Sequence, residues 1–492
     1  MREVLPLENV RRRVLPACGA RRCPPCSVLL LVLLSAVTCA QKSSSRPDFF
    51  PIVVSLQAPY NIQAYRNMGV NVYYDLSWGP LDAYHLDLLH KYGMYVICGQ
   101  DSFSLAHRSD TLIYGWSIPY DEPDNAQWNA STQQYDSCLH PDLIINLYRS
   151  LKAVDATRPV LLTLGQGVAN LSYIGRGPCH EWLDSYPIDK HGYLEGCDIC
   201  AFDIYPVNST INGITGNLWY VAKGMDSLSS WSRGSGKPMW AWIETTKISA
   251  ASAAKPTPSQ VRSEVWMALV HGAKGIGYFT HTWDPGYISG AVLLDTPMVA
   301  SLTNLNAQIR TLAPVLNSPT VRDYTTITSS NPNVPVDAMV KEYGGAMWLF
   351  AVAMRNGTTR ATFTVPAGSD VEVIGEARSI SVSDTVFSDD FASYGVHLYK
   401  ITASISQVPS GATSAAPVVR VYPNPASGRV FIDSPAMGRM HVSLYRLSGE
   451  CVAHHDVSCN GEGIDITTFA TGLYLLRVEG TNWMSSAILI KQ

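Results

Sequence analysis

From about residue 50 to residue 316, short apolar runs alternate with longer stretches of helical periodicity. The runs are Ile52–Leu56, Asn71–Leu76, Met94–Gly99, Ile113–Ile118, Pro159–Leu164, Asp198–Tyr205, Pro238–Glu244 and Gly275–Thr282. Several are apolar throughout, as parallel strands buried on both sides require. Between them, Leu81–Tyr92, Pro141–Ala156, Leu218–Trp231 and Pro258–Ala273 space apolar residues along one helix face. Eight such units predict an α/β fold, a (β/α)8 TIM barrel over 48–316. An open doubly wound sheet is the competing arrangement. Neither glycine-rich phosphate motif, G-x-G-x-x-G or G-x-x-x-x-G-K-[ST], occurs to favour a nucleotide-binding version.

Past Leu316 the pattern turns to short strands. Met347–Met354, the Asn356-Gly357 turn and Arg360–Val365 read as a β-hairpin. Val371–Ile374, Ser379–Val382 and Val396–Ile401 add further strands. They predict a small β-sandwich accessory domain over 319–403. Residues 404–417, rich in Ser, Ala, Pro and Gly, read as a linker, and a further β-rich unit fills 418–492.

At the N-terminus, a stretch with six Arg leads into the apolar run Val28–Val37. That run is far short of the ~20 residues a bilayer span needs, and it suits a signal-peptide core. Thr38-Cys39-Ala40 supplies a small-residue cleavage site, so 1–40 are expected to be a signal peptide. A lipid-modified Cys39 and a twin-Arg signal are weaker alternatives. No later segment reaches membrane-spanning length, so the mature chain is expected to have no transmembrane segment. The formal charge of -4 over 492 residues hides a split, because the chain beyond the basic leader carries a net of -8. Only 15% of residues are charged, which argues against nucleic acid as a partner.

Seven Cys remain beyond the leader, at 98, 138, 179, 197, 200, 451 and 459. In an exported protein they can form disulfides. Cys138, Cys179 and Cys197 sit in apparent loops, and the odd number leaves one thiol free, with Cys98 and Cys200 the buried candidates. Cys197-Asp-Ile-Cys200 has no second CxxC or HxxxH beside it. No zinc site, other metal or cofactor is therefore expected.

The last unit carries Tyr422-Pro-Asn-Pro425, a strand Val442–Gly449 ending in Ser-Gly, a strand Gly472–Val478 with Gly-x-Tyr-x-x-Arg, and a terminal Lys491-Gln492. In that order these features resemble the C-terminal sorting domain of type IX secretion substrates. The resemblance implies export through the periplasm and outer membrane of a Bacteroidota-type cell, with the type IX machinery as a partner. It also implies a secreted or surface-attached product. A generic β-sandwich module is the plainer reading.

In a (β/α)8 barrel the chemistry sits at the C-terminal ends of the strands. The fourth run leads into Pro119-Tyr-Asp121-Glu122-Pro123, and the seventh ends in Trp240-Ala-Trp242-Ile-Glu244. Two carboxyls facing one cleft are what glycosidic cleavage needs: one neutral, to protonate the leaving oxygen, and one ionised, at the anomeric carbon. Plainer roles exist for each. Glu122 before Pro123 suits a helix first turn capped by Asp121, and Glu244 suits a strand-end salt bridge.

Glu at the fourth and seventh strand ends resembles the clan A glycoside hydrolases, retaining (β/α)8 enzymes. The resemblance implies double displacement, with Glu122 as acid/base and Glu244 as nucleophile. The clan has Asn before its acid/base where this chain has Asp121. An ionised Asp only accepts hydrogen bonds and repels Glu122, which raises its pKa. That puts the usual contact to the sugar 2-hydroxyl in doubt, and Asp121 itself is an alternative acid.

Other strand ends supply candidate substrate-binding residues: Trp78, Gln100, Asp101, Asp121, Gln166, Asp203, Tyr205, His281 and Trp283. Aromatic faces stack on sugar rings, while amides and carboxylates bind hydroxyls. The sequence thus points to a secreted retaining glycoside hydrolase acting on an oligo- or polysaccharide. A carbohydrate-binding surface protein on a barrel that has lost catalysis is the alternative. A different, metal-dependent hydrolase on the same scaffold ranks behind both.

Overall fold

The computed structural model describes residues 46–403 except 78, 171–191 and 233–234. Beyond these it describes 419–433, 439–446, 451–458, 463–480 and 483–492. The expected signal peptide, the linker and Trp78 lie outside the described residues.

Eight parallel strands close into a barrel: β1 Ile52–Gln57, β2 Val72–Leu76, β3 Tyr95–Cys98, β4 Ile113–Ser117, β5 Val160–Leu164, β6 Ile199–Asp203, β7 Met239–Glu244 and β8 Gly275–Phe279. Each apolar run became one strand. The helices are α1 Ile62–Asn67, α2 Ala83–Tyr92, α3 Ser102–Ala106, α4 Pro141–Val154, α5 Tyr220–Trp231, α6 Pro258–Val270, α7 Thr296–Thr311 and α8 Ala313–Asn317. Their ends follow local chemistry. Asp82 caps α2 by accepting from His85 N, and Gly93 ends that helix at φ +61. Thr257 and Gln260 form a capping box at the start of α6.

The lumen is filled by Val53, Val72, Tyr74, Ile97, Leu161, Ile199, Ala201, Trp240 and Trp242. Two indoles on one strand need bare backbone beside them. Gly275 and Gly277 of β8 pair with Trp240 and Trp242, and a methyl on Gly277 would lie 2.1 Å from the Trp242 ring. Side-chain bulk on β7 thus dictates glycine on β8.

The next unit has two antiparallel sheets around one core of Val336, Leu349, Ala361, Phe363, Phe387, Tyr399 and their neighbours. The five-stranded sheet runs Val336–Tyr343, Ala346–Ala353, Val396–Ala403, Ser369–Val373, Arg378–Ile380 in spatial order. The three-stranded one runs Ile327–Ser329, Thr359–Thr364, Val386–Phe391. The hairpin expected across Asn356-Gly357 does not form, because its two strands lie in different sheets. Ala346–Ala353 instead turns back on Val336–Tyr343 through Gly344 and Gly345, at φ +61 and +74. A two-residue turn with both residues left-handed matches the strand twist, and two glycines adopt it without strain.

Helix α6 joins the two units. Trp266 packs on Phe350 at 5.3 Å, and Ser263 Oγ donates to the Tyr394 carbonyl at 2.7 Å. This is why α6 is buried on nearly every side. The last unit has a three-stranded and a four-stranded antiparallel sheet over a core that includes Val430, Val442, Leu444, Leu476 and Val478. Among the described residues no helix is long and apolar enough to cross a membrane.

Candidate active site

The chain leaves β4 at Ser117 and turns through Asp121 and Glu122. No helix starts there; α4 begins at Pro141 behind its His140 cap, so Glu122 is not a first-turn helix acid. Glu122 has φ +44, a left-handed conformation that costs a side-chain-bearing residue about 1–3 kcal/mol. Asn125 Nδ2 holds its carboxylate, and Gln127 Nε2 donates to its carbonyl at 3.2 Å.

The partner brought to Glu122 is Asp203, at the end of β6. Asp203 is hydrogen-bonded to Glu122 and to Tyr205. Burial first, then the charge of Glu122 and the bond to it, and then Asp121, push its carboxyl well above the usual range. Asp124, two residues past Glu122, is raised to about 7 by burial, although it accepts a bond from Gly165 N at 2.9 Å. One end of the barrel thus gathers four carboxyls, at 121, 122, 124 and 203.

Below them, Tyr74 packs against Trp242 at 5.7 Å, and Trp242 Nε1 donates to Thr163 Oγ1 at 3.2 Å. Beside them runs an aromatic shelf. Tyr205 meets Phe279 of β8 at 5.0 Å, and Trp283 meets Tyr287 at 5.3 Å. Trp283 and Tyr287 are about half exposed, at 50% and 55%. His281 is buried behind them with Tyr287 Oη 3.3 Å from Nδ1. Burial lowers its pKa to about 4, so the ring stays neutral.

Glu244 is placed differently. It is wholly buried, and its carboxylate accepts from Val207 N at 2.6 Å, Asn208 N at 2.9 Å and Asn208 Nδ2 at 2.5 Å. Burial raises its pKa, while bonds from Asn208 and Val207 and one with Glu264 of α6 lower it. The charged groups acting on Asp203 are Glu122 and Asp121. Glu122 thus interacts with Asp203, and Glu244 with Glu264.

Two further expected binding residues are taken up by the scaffold. Gln100 donates to the Leu151 carbonyl of α4 at 3.0 Å. Asp101 is the N-cap of α3, accepting from Ser104 N at 2.8 Å. A strand end announces position, not the direction a side chain takes. Gln166 is half-buried in the turn that follows β5. Sequence reasoning passed over Asp124, Asn125, Phe279, Tyr287 and Glu264. Asp124 was within reach, since it completes an Asp-Glu-Pro-Asp run.

Among the described residues no group of three or more His, Cys, Asp or Glu is placed to hold a metal ion. Cys138 is disulfide-bonded. Cys197, expected in a loop, is buried and free, as are Cys98 and Cys200. A cavity of about 420 Å³ on the five-stranded sheet, lined by Asp370, Glu372, Ser379 and Lys400, contains none of the barrel-end residues.

Residues 420–492 match the profile of the secretion system C-terminal sorting domain. No curated protein matches the chain by sequence. Among solved structures the chain is similar to AmyP in complex with maltose, with TM-score 0.46, 10% identity, and 74% of this chain and 98% of that one covered. It is similar to an alpha-amylase from Geobacillus thermoleovorans complexed with acarbose, with TM-score 0.42, 10% identity, and coverage of 72% and 98%. A GH30 endoxylanase from Clostridium papyrosolvens C71 follows, with TM-score 0.38, 12% identity, and coverage of 72% and 97%. The fold and the tail define a (β/α)8-barrel protein followed by antiparallel sheets and a type IX sorting domain. That tail makes it a secreted or cell-surface protein of the Bacteroidota export route.

Proposed function

We propose that the protein is an extracellular glycoside hydrolase acting on oligo- or polysaccharide at the C-terminal end of its barrel. The observation that carries this reading is the Glu122–Asp203 pair. Burial and Glu122 raise the Asp203 carboxyl well above its usual range, so it can protonate a glycosidic oxygen while Glu122 stands beside the anomeric carbon. Tyr205 orients Asp203, and Trp283 and Tyr287 offer ring faces for stacking.

Double displacement with Glu244 as nucleophile is the second reading. One observation favours it: Glu244 shares the strand parity of Trp240 and Trp242, and pairs in register with Phe279 of the shelf. To reach a sugar, Glu244 must release the N–H groups of Val207 and Asn208.

A mechanism-based glycosidase inhibitor, tried over several sugar configurations, tests both. Label on the Glu122 peptide supports the first assignment, and label on Glu244 the second. Glycan binding without hydrolysis across a broad panel would instead make the protein a carbohydrate-binding scaffold.

A further inference from the structure

The loop between β4 and α4 carries a small hairpin, Trp128–Asn129 paired with Gln134–Tyr135. Trp128 and Tyr135 are direct cross-strand partners, edge to face at 5.0 Å, and are 55% and 47% exposed. Leaving a large apolar side chain in water forgoes about 1.5–3 kcal/mol of burial. Asn129 Oδ1 accepts from Ser131 N at 2.9 Å, and its Nδ2 donates to Asp136 at 2.9 Å.

Both legs of the hairpin are fastened to the turn that carries Glu122. On one side, Gln127 Nε2 donates to the carbonyls of Glu122 and Asn125, at 3.2 and 2.6 Å. On the other, Leu139 N donates to the Pro123 carbonyl at 3.0 Å, next to the disulfide-bonded Cys138. Trp128 lies six positions after Glu122, so their Cα atoms are within about 22 Å of each other even along extended chain. The segment also lacks cations. No Lys or Arg occurs between Arg108 and Arg149, and the hairpin itself reads Trp-Asn-Ala-Ser-Thr-Gln-Gln-Tyr. Aromatic faces flanked by amides and hydroxyls, in a stretch that carries Asp121, Glu122 and Asp136 and no cation, suit an uncharged polyhydroxylated chain and repel a polyanion.

We propose that the Trp128/Tyr135 hairpin is an outlying carbohydrate subsite, and that the substrate is a neutral glycan long enough to run from the Glu122–Asp203 pair to this hairpin. The inference rests on the glycan-site reading of the barrel end. It makes the enzyme one that grips an extended chain, rather than one that recognises a terminal sugar alone.

The test measures binding by affinity electrophoresis and hydrolysis by reducing-sugar release. It uses an α-glucan, a β-glucan, a xylan, a galactomannan and polygalacturonate, with an aryl glycoside of the same sugar as the short substrate. Trp128→Ala and Tyr135→Ala are each expected to weaken binding of the preferred neutral polysaccharide about tenfold. The ratio of polymer to aryl-glycoside turnover is expected to fall by a similar factor through KM, with the unfolding midpoint unchanged. Equal losses on long and short substrates, no loss on either, or a preference for polygalacturonate would overturn the subsite. If the unsubstituted chain binds no glycan, the functional reading fails as well, and that result is distinct from a failure of the hairpin alone.

Discussion

Asn208 donates to Glu244 twice, from its backbone N–H at 2.9 Å and from Nδ2 at 2.5 Å. With Val207 N on the other oxygen, the carboxylate ties the end of β7 to the turn that follows β6. Glu264 faces it, fully buried, with neither carboxyl oxygen bonded to a hydrogen-bond donor. Burial, then the charge of Glu244 and the bond to it, raise Glu264 well above the usual range, so Glu264 takes the proton.

Glu244→Gln therefore removes an acceptor that three N–H groups need. Its amide nitrogen must point at a donor, and the variant is expected to lose about 1–3 kcal/mol of stability. Glu264→Gln keeps the neutral form and is expected to cost less. Urea denaturation of both variants checks this. A Glu244→Gln chain as stable as its parent but without hydrolysis would assign Glu244 to the chemistry instead.

In the proposed mechanism Asp203 acts in its neutral form, and its raised pKa would set the alkaline limb of activity. The folded carboxyl keeps its proton above the unfolded value, so activity is expected to be lost as pH rises through the folded pKa. Glu122→Gln removes the neighbouring charge that raises Asp203. Infrared or NMR titration of Asp203 should then show its pKa moving down. A titration unchanged by this substitution would rule out the pair.

Gly277→Ala puts a methyl 2.1 Å from the Trp242 ring, inside a lumen with no slack. The expected loss is ~1–3 kcal/mol from overpacking. Trp242→Phe in the same chain should return part of it. Thermal unfolding of both single variants and the double variant gives the coupling directly.

Lys341, 2% exposed, bonds the Ser318 carbonyl and Thr320 Oγ1, both at 2.9 Å. Burial, with Lys274 beside it, lowers its pKa to about 7. The unfolded chain holds that proton to about 10.4. Between these values the unfolded state binds more protons, so this group makes stability rise with pH from about 7 to about 10.4. Below about 7 the folded chain bears the full cost of the buried charge. Lys341→Met is expected to flatten that slope when urea midpoints are compared at pH 6, 8 and 10.

Much of the fold was legible because its signals are local. A parallel strand buried on both faces is an apolar run wherever it occurs, and all eight runs became barrel strands. Tyr422-Pro-Asn-Pro425 and the strands after it were likewise readable as a sorting tail. The misread hairpin shows the limit. Asn356-Gly357 and Gly344-Gly345 are both turn signals, and only the pairing of strands into sheets selects between them. Gln100 and Asp101 were found at a strand end, but α3 and α4 pull their side chains into scaffold bonds.

The sequence by itself determined the number and order of the barrel strands, the presence of carboxyls at their ends and the address at the C-terminus. Each follows from hydrophobic pattern and short motifs. Only the tertiary structure decided which carboxyl meets which. Glu122 pairs with Asp203 across the barrel end, and Glu244 is drawn to Asn208 and Glu264. Such pairing depends on approach between residues far apart in the chain. No local pattern encodes it, and it alone sets where each proton resides.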